Sequence, residues 1–325
     1  MAYESYQAKA PGSLMLFGEH AVLHGSSALV TAIDQHINVT ITPRADNNII
    51  LSSDLLGTLE TSLTNFSQLI TTPKPYSISS EILTTSSWRT PGPSETKTKL
   101  QNITNNSAWQ FVLQTIISQL PHIKSGFEFS IKSDFSSKIG FGSSAATVAA
   151  ILKALNKWLK IKHNNQELIT IGRNIIQKVQ TIGSGADVAA SVLGGVVYYH
   201  PNKIAERIAD SIPIITRYSG AKVKTIVAIE KVNNFSKKYP TIINELYKTI
   251  NLITEEAKIA ITNKDWQKVG ELMNIHHELQ SALGTSTSTL DKIANELRSE
   301  KNVLGAKISG AGLGDSVIAI VASNK

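Results

Sequence analysis

The run Gly140-Phe141-Gly142-Ser143-Ser144 leads straight into the apolar stretch 145–159, and it constrains this chain more than any other segment. Glycines let backbone N–H groups come close to an anion, and a helix starting behind them adds unpaired donors and the positive end of its dipole. Two serines supply hydroxyls able to bond a phosphate oxygen or ligate Mg²⁺. Two readings fit these residues: a polyphosphate cradle, or a glycine turn capping a buried helix. The common P-loop is not among them, because no Gly-Lys-Ser/Thr follows the glycines.

The chain has 325 residues, 42% of them hydrophobic, enough to bury a full core in one large or two modest domains. Its net charge of +7 comes from scattered basic residues, and no Lys/Arg run resembles a nucleic-acid arm. Zero cysteines exclude disulfides, thiol catalysis and thiolate metal sites. The opening MAYESYQAKAPGS lacks the basic start and apolar core of a secretory signal, and no stretch approaches the roughly 20 apolar residues of a membrane span. The expectation is a cytoplasmic protein with no nucleic-acid or membrane partner.

Short strands are expected at 6–10 and 13–17 around Pro11-Gly12, then at 28–33, 37–42 and 127–131. Residues 57–106 are crowded with Ser, Thr and Asn and carry four of the ten prolines, so they read as an irregular excursion with short strands at most. Helical spacing returns at 109–120 and 166–180, and a small-residue helix is expected at 187–193. Beyond a buried strand at 196–199, residues 202–221 read as a crossing between two halves. A strand is expected at 225–230, helices at 239–262, 265–283 and 290–300, and strands at 306–309 and 316–322. Strand clusters mixed with helix runs indicate an α+β class.

Three further stations hold polar groups among small residues. In PGSLMLFGEHAVLHG, Glu19 and His20 follow a strand and suit either a substrate's polar group or a plain turn. Asp187, in Gly183-Ser184-Gly185-Ala186-Asp187, is either a helix N-cap or a base. Lys307-Ile308-Ser309-Gly310-Ala311-Gly312-Leu313-Gly314-Asp315 is either an anion-binding backbone nest or a tight hairpin.

In this order and at these separations, the four stations resemble the GHMP kinase superfamily, and within it the mevalonate kinase family. The resemblance runs from about residue 8 to residue 322. It implies an α+β, two-domain GHMP kinase fold: an N-terminal ribosomal protein S5 domain 2-like part (1–205), a C-terminal ferredoxin-like α/β part (206–325) and an active-site cleft between them. It implies ATP-dependent phosphorylation of the primary alcohol of mevalonate, with ATP and Mg²⁺ as cofactors. Lys138, Gly140, Gly142, Ser143, Ser144 and Ala145 would hold the nucleotide, Ser144 would ligate the metal, and Asp187 would be catalytic. Glu19, His20, Ser184, Gly310, Ala311 and Gly312 would lie on the substrate side. A homodimer is the assembly the family suggests.

Two departures stand out. The family usually carries Lys after Pro-Gly, paired with the catalytic aspartate; this chain has Ser13, and Lys9 is the nearest upstream cation. A Mg²⁺-binding Glu is usual eleven residues before the aspartate; here that position is Ile176, beside Gln177. IGSGADVAASV is closer to the phosphomevalonate kinases, with Lys138, Arg173 and Lys178 as candidate cations for a second phosphate. The alternatives are therefore a phosphomevalonate kinase or a nucleotide-binding homologue with impaired catalysis.

Overall fold

The computed structural model describes residues 4–54, 56–66, 107–135 and 140–322, which fall into two compact units interleaved along the chain. The first unit takes in Met1–Ala10, Gln35–Phe135 and Ser144–Gly183. The second takes in Pro11–Asp34, Ser136–Ser143 and Ser184–Lys325.

Two long strands run through both units. Strand β1 (Tyr6–Phe17) is unbroken where a break was expected at Pro11. Among the described residues it pairs only with β2, and an edge strand tolerates a residue without an N–H. Strand β2 (Ala28–Pro43) likewise joins two expected strands into one. The intervening DQH triplet in IDQHI breaks the apolar alternation, but residues 34–36 stay extended within the one strand.

In the first unit, β3 (Asn48–Ser53) pairs antiparallel with β4 (Gly57–Ser62) and parallel with β5 (Phe127–Ser133), and β5 pairs with residues 37–43 of β2. Phe127 and Phe129 alternate inward, and Phe127 packs on Trp158 at 5.1 Å between ring centroids. The unit's helices are α1 (Ser107–Ser118), α2 (Ser143–Trp158, whose first residue belongs to the second unit) and α3 (Asn165–Gln180). A reciprocal cap starts α3: Asn164 accepts from the Glu167 N–H while Glu167 accepts from the Asn164 N–H. Of the 57–106 excursion, β4 and the helical residues 63–66 are described, and the remainder lies outside the described residues.

In the second unit, residues 28–31 of β2 pair with β6 (Val196–Tyr199), and β6 pairs with β7 (Glu206–Ala209). A separate antiparallel sheet has the order β8 (Ile214–Tyr218), β10 (Ser316–Val321), β9 (Val303–Ser309). Strands β7 and β8 occupy the region read as a mere crossing; both are short and largely exposed, so neither shows a buried alternation. The helices are α4 (Ala186–Leu193), α5 (Thr225–Lys238), α6 (Pro240–Thr262), α7 (Trp266–Ala282) and α8 (Ser288–Arg298). The strand expected at 225–230 is the start of α5. Its β-branched TIVAI suggests a strand, but the buried set Ala228, Ile229 and Val232 has helical spacing, and Val232 joins Ile243, Tyr247 and Ile250 of α6 in one cluster.

Helix α7 lies on β9 through two glycines, which sets the position of every side chain these elements carry. A Cβ on Gly305 would fall 2.0 Å from the Gly270 carbonyl oxygen. Gly305→Ala should therefore push helix from strand and destabilise the protein by about 1–3 kcal/mol or more. A urea denaturation midpoint equal to that of the unsubstituted protein would contradict this packing account.

Candidate functional site

The site is built where residues 11–17 of β1, the N-terminus of α4 and the 140–143 turn meet, all within the second unit. Ser13 on β1 is 1% exposed, and its hydroxyl donates to Asp187 Oδ1 over 2.8 Å. Asp187 stands inside α4, whose N-cap is Gly185 at φ 92° with no side-chain cap, so its carboxylate is not spent on capping. Burial pushes the Asp187 carboxyl above the usual carboxylate range; the Ser13 hydroxyl pulls the other way, and Glu19 adds to the upward push.

The glycine turn is fastened to the same strand. The Ser13 N–H donates to the Phe141 carbonyl over 3.0 Å. Gly142 has φ 63°, and a Cβ there would fall 2.2 Å from Ser13 Oγ, so any side chain would drive the hydroxyl off Asp187. Gly140 packs against the Asp315 side chain of the last glycine loop. Ser143 opens α2, and Ser144 and Ala145 continue it. Lys138 lies outside the described residues.

The last glycine loop is a hairpin connection between β9 and β10, with Ser309 opposite Ser316. The Leu313 N–H donates to Thr285 O and the Asp315 N–H to Ala221 O, both over 2.7 Å. His20 has the left-handed φ of 60°, a sparsely populated conformation for this residue type. Its Nε2 lies 2.9 Å from the Ala311 carbonyl, so Nε2 carries the proton and Nδ1 remains an acceptor. Burial lowers the His20 pKa and favours the neutral ring. The Ser184 hydroxyl accepts from the Ala186 N–H at 3.2 Å, while its carbonyl accepts from the Tyr199 hydroxyl.

Behind this loop sits a buried ionic cluster. Lys307 on β9 is fully buried, ion-pairs with Glu19 and donates to the Ile308 carbonyl. His276 on α7 accepts the Gly18 N–H at Nε2 over 3.2 Å and lies 3.4 Å from the second Glu19 oxygen. Burial works to raise the Glu19 carboxyl, but the Lys307 ammonium overrides it and holds the acid below its usual range. Burial pulls the Lys307 ammonium down and pushes His276 down to about 3, so its ring is neutral. Glu19, at 2% exposure, thus binds the chain after β1 to β9.

Two family models match the chain: the GHMP kinases N terminal domain over residues 106–195 and the GHMP kinases C terminal over residues 257–325. The chain is a GHMP kinase. It is 27% identical over 318 residues to a mevalonate kinase of Pyrococcus abyssi, an alignment spanning 96% of this chain and 88% of the relative. Its fold matches the Methanococcus jannaschii mevalonate kinase at TM-score 0.72 and 24% identity, over 98% of this chain and 91% of that one. It also matches a Lactococcus lactis galactokinase solved with galactose at TM-score 0.76 and 19% identity, over 98% and 86%. A mevalonate kinase and a galactokinase thus share this backbone, so the fold alone does not fix the substrate.

Lys307 heads the third glycine station with no role assigned to it from sequence, and His276 was given none in this GHMP kinase site. One signal for Lys307 was legible: a lone cation inside the apolar strand segment Gly305-Ala306-Lys307-Ile308 requires a buried anion. His276 carries no such mark, because its partner Gly18 is a backbone amide 258 residues away.

Lys307→Met should cost about 3–5 kcal/mol by leaving Glu19 buried and unpaired, and adding Glu19→Gln should recover part of that loss. Strict additivity in urea unfolding would contradict a coupled pair. For His276 the folded pKa is depressed, so the unfolded chain takes up the proton first. The stability is complete above about pH 6.5 and is lost as pH falls toward 3. Between pH 7 and 5 this residue should account for about 2 kcal/mol of lost stability. His276→Gln, which keeps an acceptor for Gly18, should remove that share; an unchanged pH dependence would contradict the assignment.

Proposed function

We propose that this GHMP kinase transfers the γ-phosphoryl group of ATP to the primary alcohol of mevalonate, giving 5-phosphomevalonate. The observation that carries the reading is the Asp187 carboxylate, half-buried and held through one oxygen by Ser13 on the strand that also anchors the glycine turn. The near-full-length similarity to curated mevalonate kinases supports the choice of substrate. So does the apolar Ala21-Val22-Leu23 after His20, which offers a sugar's extra hydroxyls no polar partner.

In this mechanism the amides of the 140–143 turn and the start of α2 hold the triphosphate. The free Asp187 oxygen accepts the proton of the substrate alcohol as the alcohol oxygen bonds to the γ-phosphorus. The bond from γ-phosphorus to the bridging oxygen breaks, and ADP leaves with the electron pair. A raised pKa makes Asp187 a stronger base than an exposed aspartate, while Glu19 stays ionised and enclosed. His20, neutral and fixed by Ala311, offers Nδ1 to a substrate hydroxyl.

The half-exposed Ser144 hydroxyl at the start of α2 suits a hard cation carried by phosphate oxygens, and we propose Ser144 as the protein's Mg²⁺ ligand. When bound, that ion neutralises charge on the transferring group. Ile176 is 8% exposed and packs its methyl toward Gly183, so that position offers a cation only hydrocarbon. Among the described residues no helix is long and apolar enough to cross a membrane. By family resemblance we further propose a cytoplasmic homodimer divided functionally into 1–205 and 206–325.

Asp187→Asn should lower kcat by about 10²–10⁴ with nucleotide binding retained. Coupled ADP release should give a higher kcat/KM with mevalonate than with 5-phosphomevalonate, homoserine or galactose. Full turnover by Asp187→Asn, or preference for the phosphorylated acceptor, would overturn the reading.

A further inference from the structure

We infer that Ser13 is a positioning residue that seats the Asp187 carboxylate against the glycine turn, so that a neutral hydroxyl stands where the family resemblance leads one to expect a cation. The inference rests on the reading of Asp187 as proton acceptor and goes beyond it by assigning the residue that aims it.

Three contacts converge on this one side chain and its amide. The hydroxyl donates to Asp187 Oδ1, the N–H donates to Phe141 O, and Gly142 leaves the hydroxyl the space a Cβ would fill. Ser13 is thus the shared support of the base and of the turn that faces the nucleotide. Lys9, the other candidate for the missing cation, is exposed. With Oδ1 held, the lone pairs of Oδ2 remain for the substrate proton. A buried hydroxyl fixes the carboxylate without adding a positive charge, so the acid keeps the basicity that burial confers.

The ionisable groups around Asp187 bear on the test. Glu19, on the loop after β1, is the charge that acts on it, and Glu19 is itself paired with Lys307 of β9 and flanked by neutral His276 of α7. His20 on the same loop is bonded to Ala311, and the Gly140-Phe141-Gly142 turn carries no ionisable side chain. Removing the Ser13 hydroxyl takes away a bond that favours the ionised acid, so the Asp187 pKa should rise.

The experiment compares Ser13→Ala and the size-conserving Ser13→Cys with the unsubstituted enzyme and Asp187→Asn. Ser13→Ala should lower kcat about 10–100-fold while the KM for ATP stays within about twofold. Its acid limb in kcat/KM should move to higher pH. Ser13→Cys, a weaker donor of similar volume, should fall between, which keeps the test informative if the alanine variant folds poorly. A carboxyl ¹³C titration, with the Asp187 signal assigned by its loss in Asp187→Asn, should show the same upward shift without turnover. Lowered melting temperature with unmoved pH profile and carboxyl titration would make Ser13 merely structural and overturn the inference. If Asp187→Asn is inactive and Ser13→Ala shifts nothing, only this inference fails; if Asp187→Asn is fully active, the reading beneath it fails as well.

Discussion

A single hydrogen bond between residues 174 positions apart, Ser13 to Asp187, determines what the rest of the site can do. It joins an N-terminal strand to the second residue of a short helix, and the same strand residue ties down the Phe141 carbonyl of the glycine turn. Base and turn therefore share one support. An aspartate half-buried without a cation is costly as an anion, and its raised pKa is the measure of that cost. For a proton acceptor this same cost is useful, because basicity rises with it.

The neighbouring charges are arranged so that they do not compete. Glu19 lies close enough to affect Asp187, yet Lys307 compensates it within a shell that excludes water. His276 completes that shell as a neutral acceptor for Gly18. The ion pair is held in place by the close contact of α7 with β9 at Gly270 and Gly305. Two carboxylates near one site thus serve differently because their surroundings differ: one is paired and structural, the other is held by a hydroxyl.

The stations around Glu19, Ser143, Asp187 and Gly312 were legible because glycines and small residues with isolated polar groups are local patterns. The helices at 166–180, 239–262 and 265–283 were legible for the same reason, through sustained apolar spacing. What escaped were facts set by distant partners. Strands β1 and β2 are each continuous, through Pro11 and through residues 34–36, and both pair within a sheet that no local signal reports. The strand reading of 225–230 failed because β-branched residues outvoted helical burial that only α6 explains. Ser13 was noticed as a departure, but that its hydroxyl meets Asp187 is a fact of tertiary structure.

The account is tested most directly by a crystal structure of the enzyme with mevalonate and a non-hydrolysable ATP analogue. It predicts the free Asp187 oxygen within about 2.6–3.2 Å of the substrate's primary hydroxyl, with Ser13 still bonded to the other oxygen and the triphosphate on the 140–143 turn. An Asp187 side chain turned away from that hydroxyl, or a nucleotide bound elsewhere, would contradict it.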